Sequence, residues 1–320
     1  MNEFDIIKKY FAILTKNNPG ALDLNDDVFF DEKKELVLSI DTYNEGLHYI
    51  NFKNPDLVIK KVIRSTISDL FCKGVKPKYI FLSGSGNKKH FNRKNLQLIS
   101  KSISEEQKKF DIKLSGGDTV ISKKSSFSAV AIGFSKKIIK RNKVKKNDDL
   151  YVTGNLGDSF MGLNILKKKI TLNSKINNYF IKKYYLPDLP TKLYKFLYKF
   201  SNSSIDISDG LFADLLKLIN KQKLSFIVNA DFIPISKNLS IYLKKNNQKP
   251  LNFISRGDDY QILFTSSKKN RTYIKKLSKR IRQKISLIGT ITKQSKQNKI
   301  FSRGKLLKTL NYKGYLHNFK

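Results

Sequence analysis

The stretch IDISDGLF at residues 205–212 places two carboxylates, Asp206 and Asp209, three residues apart among apolar residues and a glycine. A carboxylate in an apolar setting is costly unless it is paired, hydrogen-bonded or bound to a metal. Leucines at 211, 215 and 218 follow on one helical stripe, so a helix is predicted directly after the acids, with Ser208 or Asp209 placed to cap it. The partners of the two acids must come from elsewhere in the chain.

Strand and helix patterns alternate on both sides of this stretch. The runs ELVLSIDT, IKLSGGDT, SSFSAVAIGF and DLYVTG are typical of strands, and the first two end at Asp41 and at residues 116–118. Residues 56–74, DLVIKKVIRSTISDLFCKG, show helical spacing of apolar side chains, with Gly74 as the C-terminal stop. DLYVTG leads through GNLGDS into a second helical pattern, SFMGLNILKKK. The alternation predicts a mixed α/β protein.

A polar segment divides the chain. Residues 141–149, RNKVKKNDD, have no apolar periodicity, and a chain of 320 residues with 40% apolar content is long enough to bury two cores. We therefore expect an N-terminal α/β domain over residues 1–140 and a C-terminal α/β domain over residues 141–320.

Acidic residues cluster at the ends of the predicted elements. Each one alone is explained as a helix cap or a turn former. Together, short carboxylates on rigid element ends suit Mg²⁺, which prefers oxygen ligands and binds with substrate phosphates. Bound metal would also let an acidic cleft accept an anionic nucleotide. The acids in apolar or glycine-flanked positions are Asp26, Asp27, Asp41, Glu45, Asp69, Asp118, Asp206, Asp209, Asp258 and Asp259.

Other catalytic classes lack their motifs. The histidines at positions 48, 90 and 317 have no HExxH spacing, and the chain contains no GxSxG nucleophile elbow. It also contains neither a GxxxxGK[ST] phosphate loop nor the HRD and DFG motifs of protein kinases. The prediction of function therefore rests on the carboxylates.

The net charge of the chain suggests binding of a polyanion as a different class of function. Lys and Arg number 63 against 26 Asp and Glu, a formal net charge of +37, which is typical of proteins that bind nucleic acid or anionic membranes. The excess is almost all lysine and is spread along the whole chain, whereas phosphate and base recognition favours arginine. This distribution indicates compositional bias and argues against nucleic acid as a partner. A basic nucleic-acid-binding protein stays as an alternative.

Cysteine usage and hydropathy point to the cytoplasm. Cys72 is the single cysteine, which excludes an internal disulfide and a multi-cysteine metal site, and its place in a predicted helix favours buried packing over nucleophilic chemistry. No apolar run has the length of a membrane span, and the N-terminal sequence MNEFDIIKKY is unlike a signal peptide. We expect a cytoplasmic protein without a membrane partner.

An ordered series of motifs resembles the thiamine-monophosphate kinase family. From residue 26 to residue 319 the chain contains SIDTYNEGLHY, ISDLFCKG, LSGGDT, YVTGNLGDS, SSIDISDGL, SRGDDYQILF and YKGYLHNF. The family belongs to the superfamily of aminoimidazole ribonucleotide synthetase, selenophosphate synthetase and a hydrogenase-maturation protein. The resemblance implies a two-domain aminoimidazole ribonucleotide synthetase-like architecture and a homodimer formed through N-terminal strands. It also implies ATP- and Mg²⁺-dependent phosphorylation of thiamine monophosphate to thiamine diphosphate.

The resemblance also implies roles for individual residues. Because the attacking phosphate oxygen is already anionic, no general base and no catalytic side chain of that kind is expected. Several Mg²⁺ ions would be held by Asp27, Asp41, Asp69, Asp118, Asp206 and Asp209, with Ser39 and the backbone of Ile40 nearby. ATP would contact Gly117, Asp118, Arg141 and Ser208, and the acceptor would contact His48, Asp258 and Tyr312.

Several positions depart from the family pattern. Asp23 and Asn25 replace glycines before the first acidic pair, so they must take up the left-handed backbone that glycine offers. Asp258 stands where the family has a glutamate, and Tyr312 where tryptophan is common. These changes affect the acceptor geometry more than the metal site.

Three alternatives for single residues stay open: a structural role for His48, a solvated cation at Arg141, and a core aromatic at Tyr312. Another enzyme of the superfamily with a different acceptor is also possible. Selenophosphate synthetase is disfavoured because the N-terminal region has no reactive cysteine, and the hydrogenase-maturation protein because a C-terminal cysteine is missing.

Overall fold

The computed structural model describes residues 2–220, 222–295, 297–307, 314–315 and 319. Its first element is helix α1 (Glu3–Ile6), where the Asn2 side chain accepts a hydrogen bond from the Asp5 N–H. Short helical turns then lead to the first strand, at Ile7–Phe11, Ala12–Thr15 and Pro19–Leu24.

The first sheet is mixed. Its order is β1-β2-β6-β3-β4, with β5 also paired to β3; β4 and β5 run parallel to β3, and the other pairs are antiparallel. Three of its strands were predicted from the sequence, namely β2, β4 and β6. The strands are β1 (Phe29–Asp31), β2 (Leu36–Asn44), β3 (Pro77–Gly86), β4 (Lys113–Gly116), β5 (Thr119–Ile121) and β6 (Ser126–Phe134).

Helices α2 (Pro55–Cys72) and α3 (Arg93–Phe110) belong to this half, and α2 packs against β2, β6 and α3. Val58, Val62 and Ile67 of α2 are fully buried in the core that it shares with the sheet. Burying such a side chain contributes about 1.5–3 kcal/mol, so apolar contacts hold α2 in place. The helix ends as predicted, because Gly74 takes a left-handed φ of +80°.

The second sheet lies entirely in the other half of the chain. Its order is β13-β12-β9-β11-β7-β10-β8, with β12 parallel to β9 and the other pairs antiparallel. The predicted strand DLYVTG forms β7, which is buried along its whole length. The strands are β7 (Asp149–Thr153), β8 (Ser201–Asp206), β9 (Leu224–Asn229), β10 (Ile262–Ser266), β11 (Ile285–Lys293), β12 (Lys299–Ser302) and β13 (Lys305–Leu306).

Seven α-helices accompany this sheet in the described part of the chain. The predicted helix after IDISDGLF is present, and its leucines at 211, 215 and 218 are fully buried. Tyr184 and Tyr185, at the end of α5, belong to the core of the first half. The helices are α4 (Asp158–Leu166), α5 (Ser174–Tyr185), α6 (Tyr194–Leu197), α7 (Leu211–Leu218), α8 (Lys237–Lys245), α9 (Leu251–Ile254) and α10 (Arg271–Arg280).

The two halves meet where α2 packs against β8. The Ser204 hydroxyl donates to the Cys72 carbonyl at 2.5 Å, and the Lys73 ammonium donates to the Ser204 carbonyl at 2.8 Å. The end of α2 is thereby fixed to the end of β8, which brings acids of both halves together. The α/β class is as predicted. The division at residues 140 and 141 stays a prediction; it falls between β6 and β7. None of the helices described here has the length and hydropathy to cross a membrane.

Candidate active site

A cleft of about 690 Å³ lies between the two halves. Its walls come from β2, α2, the loop after β8 and the loop before β10. Most of the residues predicted to bind metal, nucleotide or acceptor line it: Asp27, Ser39, Ile40, Asp41, His48, Asp69, Arg141, Ser208, Asp209 and Asp258. The structure therefore brings these residues together, although they span more than 230 positions of the sequence.

Asp206 lies beneath this cleft. Its side chain is buried, and one carboxylate oxygen accepts a hydrogen bond from the Ser68 hydroxyl at 2.8 Å. Ligand atoms of Asp206, Asp27 and Cys72 lie within 4.8 Å of one another. Asp206 thus connects the acids of the second half to those of the first.

Burial and, after it, the crowding of these acids raise their pKa values. Burial and the nearby charges of Asp206 and Asp41 raise the pKa of Asp69 well above its usual range, although Asp69 accepts a hydrogen bond from the Ser39 hydroxyl. Burial raises the pKa of Asp41 to about 6, with Asp209 adding repulsion, and burial together with Asp214 raises the pKa of Asp206 to about 6. Carboxylates that repel one another in a buried cleft favour a bound cation. The oxygen-only donor set fits Mg²⁺.

Cys72 is unsuited to bind metal here. Burial raises the pKa of its thiol well above the usual range, and the protonated sulfur lies 3.1 Å from the Asp69 carbonyl, to which it donates. Mg²⁺ also prefers oxygen to sulfur. Cys72 therefore packs in the core, as its helical position indicated.

Basic side chains neutralise the first acidic pair. The Lys73 ammonium, which is fully buried, lies 2.6 Å from Asp26 Oδ1 and 2.5 Å from Asp27 Oδ2. Arg141 pairs with Asp27 through its guanidinium, and its backbone N–H donates to Asp26 Oδ2 at 2.9 Å. Arg141 therefore belongs to the cleft and is not a solvated cation of the linker. Sequence reasoning missed Lys73, whose only local signal is its place directly after α2.

Asp209 is held by a lysine of the following helix. Lys217 Nζ lies 2.5 Å from Asp209 Oδ2 and 2.7 Å from Asp214 Oδ1. Asp214 Oδ2 in turn accepts hydrogen bonds from the backbone N–H groups of Asp209 and Gly210. The prediction that Ser208 or Asp209 caps α7 is therefore wrong, because Asp214 satisfies these donors from inside the helix. The Asp209 carboxylate is left to face the cleft.

His48 and Asp258 also line the cleft. His48 Nδ1 accepts from the Asn44 N–H at 3.0 Å, and the His48 carbonyl accepts from the Tyr184 hydroxyl at 2.7 Å. The Asp258 N–H donates to the Ser208 carbonyl at 2.8 Å, so the loop after β8 and the loop before β10 are bonded directly. His48 is thus oriented by the backbone and lies in the cleft, as expected for a group that faces an acceptor.

Gly257 allows the close approach of these two loops. A Cβ atom at this position would lie 1.8 Å from the Ser208 carbonyl oxygen. Any larger residue would have to push the loops apart.

Two predicted residues lie away from this cleft. Gly117 and Asp118 are exposed between β4 and β5, and neither lines the cleft of its own chain. The reason is the position of these short strands on β3 at the edge of the sheet, where Asp118 accepts a hydrogen bond from the Thr119 N–H at 2.7 Å. The expectation that they join the other acids within one chain is therefore corrected.

The predicted aromatic, Tyr312, lies outside the described residues. Tyr315, which sequence reasoning did not select, lines the cleft with its ring centroid 6.5 Å from that of His48.

The loop before the first acidic pair is strained at other positions than expected. Asp23 has a left-handed φ of +56°, as its replacement of a glycine predicts, but Asn25 has a φ of −122°. Leu22 and Leu24 take left-handed φ values of +50° and +51° instead. Each such residue costs about 1 kcal/mol, which the loop tolerates beside the buried ion pairs of Asp26 and Asp27.

Comparison with known proteins agrees with this fold. The family described as AIR synthase related protein, N-terminal domain, matches residues 18–135, which hold the first of the two sheets. A solved structure of AaThiL in complex with AMPPCP and TMP superposes with a TM-score of 0.84 at 24% identity, covering 99% of this chain and 97% of that one.

Relatives in sequence define the family more narrowly. Thiamine-monophosphate kinase of Buchnera aphidicola subsp. Schizaphis graminum is 36% identical over 305 residues, which cover 92% of each chain. The enzyme of the same name from Buchnera aphidicola subsp. Acyrthosiphon pisum is 34% identical over 325 residues, covering 98% of each. The chain belongs to the thiamine-monophosphate kinase family.

Proposed function

We propose that this protein transfers the γ-phosphoryl group of ATP to the phosphate of thiamine monophosphate, giving thiamine diphosphate and ADP. The observation that carries this proposal is the convergence of carboxylates from both halves on one cleft that His48 and Asp258 also line. The attacking oxygen belongs to a phosphate that is anionic at neutral pH, so it needs no deprotonation. The chain has to align two anionic reactants and reduce their repulsion.

The metal-binding residues we propose come from both halves of the chain. Mg²⁺ held by these residues would supply positive charge against the phosphates of the two reactants. Burial, and then the mutual repulsion of these carboxylates, raises their pKa values and supports a cation site here. The proposed ligands are Asp27, Asp41, Asp69, Asp206 and Asp209, with Ser39 and the backbone of Ile40 close by.

ATP and the acceptor would lie side by side in the cleft. We assign ATP to Arg141 and Ser208, close to the acids, and thiamine monophosphate to His48 and Asp258; the hydrogen bond between the Asp258 N–H and the Ser208 carbonyl supports neighbouring subsites. Tyr312, as the stacking aromatic of the acceptor, stays a proposal without structural support.

We also propose a homodimer formed through the first sheet. The outer face of this sheet carries an apolar row in register, in which Val130 lies opposite both Ile40 and Phe81, and Ile40 is 63% exposed. An exposed apolar face of this kind is typical of an interface. A dimer across this face would also let Gly117 and Asp118, which lie off the cleft of their own chain, approach a second cleft.

We place this activity in the cytoplasm, where ATP is supplied and where the single cysteine stays reduced.

Product analysis tests the proposal. The purified protein is incubated with ATP, Mg²⁺ and thiamine monophosphate, and thiamine diphosphate is measured by chromatography and mass spectrometry. Thiamine diphosphate is expected to form, to require the metal, and to disappear with EDTA. Free thiamine is expected to be a poor acceptor, because its hydroxyl needs a base to become a nucleophile. Phosphorylation of thiamine but not of its monophosphate would overturn the proposal.

A further inference from the structure

Lys61 carries a buried ammonium beside Asp258, which lines the cleft. The residue is 1% exposed, and Nζ has no partner with hydrogen-bonding geometry among the residues that the structure describes. Its nearest charge is Asp258 Oδ1 at 3.0 Å, and on another side it lies 3.4 Å from the centroid of the Tyr184 ring. An ammonium has three N–H donors, so this one is held by charge and ring contacts with donors to spare.

Packing alone does not explain a lysine at this position. A buried ion pair is often no more stable than apolar side chains of the same volume, since both charges lose their water. The preceding residue, Lys60, shows the ordinary alternative: it turns outward and pairs with Glu105 at 2.5 Å on the helix surface. The charge of Lys61 is therefore better explained by a function in the cleft than by packing.

The function we infer concerns Asp258, whose carboxylate Lys61 helps to hold in place. Its backbone has a left-handed φ of +68° and is fixed by the hydrogen bond to the Ser208 carbonyl. Lys61 Nζ and the Tyr260 hydroxyl, at 3.0 Å and 3.2 Å, both contact Oδ1. Within the described part of the chain these contacts leave Oδ2 to accept a hydrogen bond from a ligand. The side chain is 28% exposed, so a ligand in the cleft can reach it.

We propose that Lys61 is a positioning residue for the acceptor: it fixes the Asp258 carboxylate through Oδ1 so that Oδ2 is presented to thiamine monophosphate. This inference rests on the proposed function for the identity of the acceptor. Lys61 does not touch ATP in this scheme. Its loss therefore weakens binding of the acceptor and leaves binding of ATP unchanged. Asp258 is one methylene shorter than a glutamate, so the position of its carboxylate depends more on the contact with Lys61.

The test compares Lys61→Met with Lys60→Met. Methionine has nearly the volume of lysine without the charge, and Lys60 is the same residue type on the same helix, one position away. Lys61→Met is expected to raise KM for thiamine monophosphate roughly tenfold, because Asp258 loses its charge partner and its contact with the acceptor is weakened, with KM for ATP changed less than about twofold. Lys60→Met is expected to leave both constants unchanged.

A second variant shows whether Lys61 acts through Asp258. Asp258→Asn is expected to raise KM for thiamine monophosphate by a similar factor, and the double variant to be no worse than either single one, because coupled residues are not additive. Additive effects would overturn the proposal, as would an unchanged acceptor KM in Lys61→Met. An equal rise in both KM values with a lower melting temperature would reduce Lys61 to a structural role and would equally overturn it.

Calorimetry separates this proposal from the proposed function. If the wild-type protein makes no thiamine diphosphate, the function is refuted. Titration of thiamine monophosphate into the wild type, Lys61→Met and Asp258→Asn still measures the acceptor site directly. Equal affinity for all three proteins would refute the role of Lys61 by itself, and Asp258→Asn carries the test alone if Lys61→Met does not fold.

Discussion

Replacing Asp206 with asparagine is expected to stabilise the metal-free protein while removing most of its activity. Burial and the charge of Asp214 raise the pKa of Asp206 from 3.8 to about 6. At about 1.4 kcal/mol for each pH unit, the ionised carboxylate costs the folded state about 3 kcal/mol. Asparagine removes this cost but weakens the hydrogen bond from Ser68, which is worth about 1 kcal/mol. The net gain at pH 8 is then about 2 kcal/mol, or about 4 °C in melting temperature.

The gain in stability from Asp206→Asn depends on pH. A carboxylate whose pKa is raised on folding opposes folding only when ionised, so wild-type stability falls as the pH rises from 3.8 through about 6. The gain from Asp206→Asn is therefore full at pH 8 and falls to about a third of that value at pH 5. Thermal unfolding in EDTA at both values measures it, with Glu32→Gln, an exposed acid, as the control.

Activity should move in the opposite direction. Turnover of Asp206→Asn is expected to fall about 100-fold and to need more Mg²⁺, because a proposed metal ligand has lost its charge. A variant that melts below the wild type at pH 8, or that gains equally at pH 5 and pH 8, would refute the reasoning from burial and repulsion.

Two further substitutions test the basic residues of the cleft and the acids they hold. Lys73→Met is expected to lower the free energy of unfolding by about 3–5 kcal/mol, because it leaves Asp26 and Asp27 buried without their lysine. Thermal unfolding in EDTA measures this change, and a loss below about 1 kcal/mol contradicts the prediction. Asp209→Asn is expected to change stability by less than about 1 kcal/mol, since the carboxylate is 25% exposed and Lys217 keeps its other partner, while turnover falls and the Mg²⁺ requirement rises. Normal turnover across a Mg²⁺ titration would show that the second acid of IDISDGLF has no part in metal binding.

The elements that sequence predicted well are those with a local signal. The apolar spacing of residues 56–74 gave α2 to within two residues at each end, and Gly74 marked its stop. The strands around Asp41 and before GNLGDS were likewise found, because alternation and flanking small residues are written in a few consecutive positions. The convergence of the acids was predicted from their shared place at element ends and from the family resemblance.

The residues that sequence missed depend on pairing across the chain. Lys73 meets an acid 46 positions earlier and Lys61 meets Asp258 almost 200 positions later, and neither has a local mark. Among 63 basic residues, nothing in the neighbouring sequence tells which ones turn inward. The placement of Asp118 failed for a related reason, since its motif was read correctly but the edge position of β4 and β5 is set by strand order.

Helix α2 has a consequence for how this site can change during evolution. Lys61 contacts Asp258, and Asp69 lies among the acids, eight residues further along the same helix. At a rise of 1.5 Å per residue, the helix separates these two residues by about 12 Å. One inserted or deleted residue between them would turn Asp69 by about 100° away from the cleft, so the spacing cannot be adjusted in small steps. An acceptor of another length would have to be accommodated by the loops around residues 208 and 257, while α2 keeps its length.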